Sequence, residues 1–118
     1  MVLYTMLYGF AMKMDGQKYK IPKSFIIHGH TIQIELVNEL PDEKFGEYDC
    51  VLETIKIASN MRRGADLIPL SVTQLYTTFL HELMHALQFH SGRDFSEEEA
   101  QTYAGLLFEY LNTVNYDI

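Results

Sequence analysis

The stretch SVTQLYTTFLHELMHALQFHSG, Ser71–Gly92, decides how this chain is read. Ser71 offers an N-cap, Gln74 three residues on completes a capping box, and Gly92 is placed to end the helix. Between them Leu75, Phe79, Leu80, Leu83, Met84 and Leu87 recur at helical spacing, so the segment reads as one long amphipathic helix. Inside it stands His81-Glu82-Leu83-Met84-His85, the H-E-x-x-H pattern. Residues four apart lie one turn apart on one face, so both imidazoles can reach a single zinc ion. Glu82 is rotated from His81 by about 100° and is placed to act as general base toward a water at the metal. The apolar stripe points away from His81 and His85, so packing does not account for the histidines.

Working downstream, Ser96 with Glu99 offers a second capping box, opening a helix through Ala100, Tyr103, Ala104, Leu107 and Leu111. A catalytic zinc site usually takes three protein ligands and leaves one position open. His90, five residues past His85, turns to another face of the helix. Gln88 and Ser91 stand where the metzincin pattern requires Gly and His, which excludes that class. The remaining candidates are Asp94, Glu97, Glu98 and Glu99. Glu99 lies one turn before Tyr103 and two before Leu106, on the flank of the expected buried stripe, and is the expected third ligand. Glu98 aligns with Thr102, Gly105 and Glu109 on the polar side, and Glu98 or Asp94 comes next. The competing role for Glu99 is a capping-box side chain reaching back to the Ser96 backbone.

Working upstream, β-branched and aromatic residues dominate Ser24 to Leu40. His28-Gly29-His30 between Phe25-Ile26-Ile27 and the alternating Ile32, Ile34 and Leu36 reads as a β-hairpin. Two further short strands are expected around Glu47 to Cys50 and Thr54 to Ala58. Ser59 to Leu70, carrying Asn60, Gly64 and Pro69, reads as a loop that borders a site. Strands first and helices second make an α+β domain: a small, mainly antiparallel N-terminal sheet packed on C-terminal helices, including the H-E-x-x-H helix. His28 and His30 read as solvated turn histidines, and Cys50, with no nearby His or Cys, as a buried apolar thiol.

At 118 residues with 47% hydrophobic content, the chain suits one domain over 1–118, with 1–14 as a candidate extension. A lone cysteine rules out a disulfide scaffold. The formal charge of −7 has the wrong sign for gripping phosphate backbones, so no direct nucleic-acid contact is expected. The lysines Lys13, Lys18, Lys20 and Lys23 cluster early, whereas no Lys or Arg follows Arg93. The apolar Met1–Met12 is too short to span a bilayer and no basic residue precedes it, so a cytoplasmic protein without a membrane segment is expected.

His81–His85 followed by Glu99-Ala100-Gln101-Thr102-Tyr103-Ala104-Gly105-Leu106-Leu107 resembles the ImmA/IrrE-type metallopeptidases, which carry H-E-x-x-H and then E-A-x-x-F-A-x-x-L-L. The resemblance covers about the last forty residues; small metallopeptidase-like proteins of phages and mobile elements are also similar in length and layout. It implies a minimal zincin-like (gluzincin-type) domain with one zinc per chain at His81, His85 and Glu99, and Glu82 as catalytic base in peptide-bond hydrolysis. Met84 stands where the family usually has Gly. A protein or peptide substrate is implied, a repressor-type regulator among them. By fold analogy, Thr54 to Ile57 is the strand along which an extended substrate aligns, and Tyr103 or a group from Ser59 to Leu70 is the expected oxyanion donor. The alternative is a non-catalytic module, with structural zinc or none, that regulates a partner through its cleft.

Overall fold

Alternation of apolar residues along the first half of the chain is met by a sheet, and 3.6-residue periodicity along the second by two helices. In the structure, a computed structural model that describes residues 19–116, strands β1 (Ser24–Ile27), β2 (His30–Val37), β3 (Gly46–Asp49) and β4 (Thr54–Ala58) precede a hairpin of β5 (Asn60–Arg63) and β6 (Asp66–Pro69). Helices α1 (Val72–His90) and α2 (Glu97–Thr113) follow. Sheet and helices are segregated along the chain, an α+β arrangement. The candidate extension 1–14 lies outside the described residues.

The β1–β2 hairpin turns at His28 and Gly29, both at positive φ (48° and 81°), as a two-residue hairpin loop demands. The four-stranded sheet has the order β1-β2-β4-β3 and is mixed: β4 runs parallel to β2, and the other two pairings are antiparallel. The chain leaves β2 through a short 3-10 turn at Pro41–Glu43, forms β3 on the outside, and folds back so that β4 slots between β2 and β3. Thr54–Ala58 is therefore an interior strand paired on both sides, and cannot be the substrate-aligning edge expected of it. The edge beside α1 is β3. Ser59 to Leu70, expected as a loop, is largely the separate β5–β6 hairpin, which turns through Gly64 at φ +63°.

Both helices start as their sequence dictates. Ser71 Oγ accepts from Gln74 N at 3.1 Å while Gln74 Oε1 accepts from Ser71 N at 2.8 Å, a complete capping box. Gly92, at φ +76°, ends α1. At α2, Ser96 Oγ caps Glu99 N at 3.1 Å. Tyr76, Phe79 and Leu80 of α1 pack on Ile32, Ile55 and Ile57 of the sheet, and Ala104 brings α2 into the same core. Among the described residues no helix is long and apolar enough to cross a membrane.

Candidate metal centre

The two histidines of α1 stand on one face, ring centroids 4.9 Å apart and nearly edge-on. Their Nδ1 atoms are each occupied by a glutamine carbonyl. His81 Nδ1 donates to Gln101 Oε1 at 3.1 Å, and His85 Nδ1 donates to Gln88 Oε1 at 2.9 Å. That leaves both Nε2 atoms turned toward one carboxylate oxygen. Glu97 Oε1 lies 2.8 Å from His81 Nε2 and 3.1 Å from His85 Nε2. Two imidazole nitrogens and an oxygen converging on one point call for a positive charge among them. Hydrogen bonding from His81, reinforced by His85, holds the Glu97 carboxyl below its ordinary pKa. Among the described residues, only His81, His85 and Glu97 bring three such ligand atoms within 4.8 Å of one another. Two imidazoles and a carboxylate, each imidazole held through its other nitrogen, is a donor set that suits zinc.

The carboxylate at the histidines is thus Glu97, and not the expected Glu99. Glu99 sits one layer out, accepting from Gln88 Nε2 at 2.9 Å and pairing with Arg93. Nor does its side chain reach back to Ser96 N, which instead approaches Gln88 Oε1 at 3.4 Å. Glu98 and Asp94 are exposed and outside the cluster. The difference follows from which face of α2 packs. The stripe of Tyr103 and Leu106 points to Glu99, yet those side chains are 53% and 55% exposed, and Ala100 and Ala104 are the buried ones. Glu97, Gln101, Ala104 and Phe108 recur at i, i+4, i+7 and i+11, which lines them up on the face toward α1. That series was the available signal for the ligand.

Gln88 is a residue that sequence reasoning missed. Buried to 4% exposure, it orients His85 and donates to Ser96 O at 3.1 Å, tying the end of α1 to the N-cap of α2 just before Glu97. Phe95 stacks on the His85 ring, centroids 4.7 Å apart and 6° from parallel.

Glu82 lies beside this cluster at 7% exposure. Burial raises its pKa above the ordinary carboxylate range, opposed by His81 and His85 and reinforced by Glu97 and Glu47. The strand beside it comes as close as backbone allows. A Cβ at Gly46 would stand 2.6 Å from Thr78 Cγ2 and 3.0 Å from Glu82 Cγ.

A cleft of about 940 Å³ opens over His81, Glu82, His85 and Glu97, with residues 44–50 along one side and α2 along the other. The segment 59–70 is not part of its lining, and Tyr103 belongs to a separate depression on the far face of α2 with Met84 and Leu87, so neither expected oxyanion donor is at the site. Tyr48 lines the cleft instead, its hydroxyl 2.7 Å from His90 Nε2. Cys50, expected to be buried, is exposed on the cleft wall. His90 is turned away from the cluster, and with it the hairpin histidines clasp the end of α1: His28 Nδ1 donates to His90 O at 2.9 Å, and His30 lies against the His90 ring and on Glu53.

Comparison with protein-family models, with curated proteins and with solved structures returned no match.

Proposed function

We propose that this chain is a zinc-dependent peptidase of minimal zincin-like layout, similar to the ImmA/IrrE-type enzymes, acting on a protein or peptide substrate in the cytoplasm. The observation that carries the reading is the meeting of His81 Nε2, His85 Nε2 and Glu97 Oε1 beside a buried glutamate on a helix that faces an edge strand. His81, His85 and Glu97 would hold the ion, with Gln101 and Gln88 fixing the imidazoles. Such an ion supplies Lewis-acid polarisation of a peptide carbonyl and makes water at the site more acidic.

The remaining chemistry belongs to the chain. Glu82 accepts the proton of the attacking water at its carboxylate and returns it to the leaving amine nitrogen. The edge strand β3 pairs with β4 along one side only, and its other side can take an extended peptide through main-chain hydrogen bonds. Gly46 brings that strand against Glu82.

The test is hydrolysis of a fluorogenic peptide library by the zinc-loaded chain and by Glu82→Gln. Cleavage that is lost in Glu82→Gln while zinc is retained supports the reading. Zinc binding without any cleavage would place the chain among non-catalytic metal-binding modules.

A further inference from the structure

Among the described residues, nothing covers the side of α2 turned away from the cleft, and that side is apolar. Tyr103, Leu106 and Tyr110 recur at i, i+3 and i+7, which sets them on one face of the helix, and each is more than half exposed. Tyr103 also shares a depression of about 280 Å³ with Met84 and Leu87 of α1, so the patch runs across both helices. A contiguous apolar patch of this kind, rimmed by the Arg93–Glu99 ion pair, marks a docking surface.

The chain itself supplies a matching piece. Residues 1–12, outside the described residues, carry no charged side chain, and all of them except Thr5 and Gly9 are apolar or aromatic. Tyr19, which follows a few residues later, is held on the opposite flank of α2: its ring stacks on Phe108 at 5.9 Å and its hydroxyl donates to Asn112 Oδ1 at 2.8 Å. Between that flank and the apolar one, the outside of α2 carries Glu98, Thr102 and Glu109, all exposed. Residues 13–18, KMDGQK, put a polar stretch at the corresponding place in the chain. Extended, that stretch reaches about 20 Å, against a helix width of about 10 Å. Charge fits as well. Lys13 and Lys18 bound the stretch, no Lys or Arg follows Arg93, and among the described residues neither Glu98 nor Glu109 makes an ion pair.

We propose that residues 1–12 dock on the patch of Met84, Leu87, Tyr103, Leu106 and Tyr110, with residues 13–18 crossing the acidic outer side of α2. A second copy of the chain fits less well, because a stable dimer takes about 20–30 residues a side. A tethered segment binds at an effective concentration of about millimolar and needs only a small patch. Docking here leaves the cleft open, since Glu97 and Gln101 line it from the other side of α2.

The test is nuclear magnetic resonance of the full chain labelled with ¹³C at the methionine methyls. Met1, Met6 and Met12 report on the segment, Met84 on the patch, and Met61 of β5 serves as control. Overhauser contacts from the Met1, Met6 or Met12 methyls to the Tyr103 or Tyr110 ring are expected within one chain, and so are absent from spectra filtered for contacts between labelled and unlabelled chains. Leu106→Asp, at a position more than half exposed, removes these contacts and moves the three methyls to random-coil shifts while Met61 stays in place. Leu7→Asp, on the segment itself, removes them equally and decides the outcome if Leu106→Asp also moves Met61. Contacts found only between chains give the face to a second copy and overturn the proposal. Contacts of those methyls with Phe45 or Phe108 of the cleft in place of Tyr103 and Tyr110, contacts that survive both variants, or random-coil shifts in the parent overturn it too.

Discussion

Gly46 of β3 and Glu82 of α1 are in such close register that a Cβ on the glycine would lie 3.0 Å from Glu82 Cγ. The edge strand and the candidate base are thus positioned by one contact, and the nearest atom to that Cβ is Thr78 Cγ2 at 2.6 Å. Gly46→Ala must push strand and helix apart, costing about 1–3 kcal/mol by overpacking. Misplacing the base by a fraction of an ångström lowers kcat/KM by up to about 100-fold. Adding Thr78→Ser removes the Cγ2 methyl and recovers part of both losses, as urea denaturation and peptide kinetics will show. Failure of the double variant to recover either quantity contradicts the contact as the cause.

Burial of Glu82 raises its pKa, so the native state binds that proton more tightly than the unfolded chain does. For a raised pKa, stability is greatest below the unfolded value and falls as pH rises through the native value. In the metal-free protein Glu82→Gln therefore melts above the parent at neutral pH, and the gap closes as pH falls through the carboxylate range. A gap independent of pH in scanning calorimetry would mean that the charge is not the cause.

Gln88 orients His85 and would stand outside the ligand shell of an ion held by His81, His85 and Glu97. Gln88→Leu weakens zinc by about 10–100-fold, the usual cost of losing such an orienting partner, when measured by competition with a chelator. Arg93→Ala, which removes a 62%-exposed partner of Glu99, changes stability by about 0–1 kcal/mol and leaves zinc affinity unaltered.

The parts of this site that the sequence displays are those written locally. Ser71, Gln74 and Gly92 mark the ends of α1 by cap chemistry, and four-residue spacing fixes His81 and His85 to one face. The third carboxylate depends on which side of α2 faces α1, a tertiary choice. Tyr103, Leu106 and Tyr110 resemble a core stripe, yet all three are more than half exposed, because the small Ala100 and Ala104 are what let the two helices approach closely. Glu97 and Glu99 are about 200° apart around the helix, so mistaking the packed face exchanges one for the other. Strand order was hidden for a related reason. Nothing local in Thr54–Ala58 reveals that β4 inserts beside β2 and leaves β3 at the edge. Asn60–Arg63 and Asp66–Pro69 lack apolar alternation, so nothing local marks the β5–β6 hairpin.

The most direct test of the metal centre is zinc stoichiometry by elemental mass spectrometry on the purified parent, His85→Ala, Glu97→Ala and Glu99→Ala chains after reconstitution. The parent should carry about one zinc per chain, His85→Ala and Glu97→Ala should lose it on dialysis, and Glu99→Ala should keep it. Absence of zinc from the parent, or its loss from Glu99→Ala with retention in Glu97→Ala, would contradict a metal site made of His81, His85 and Glu97.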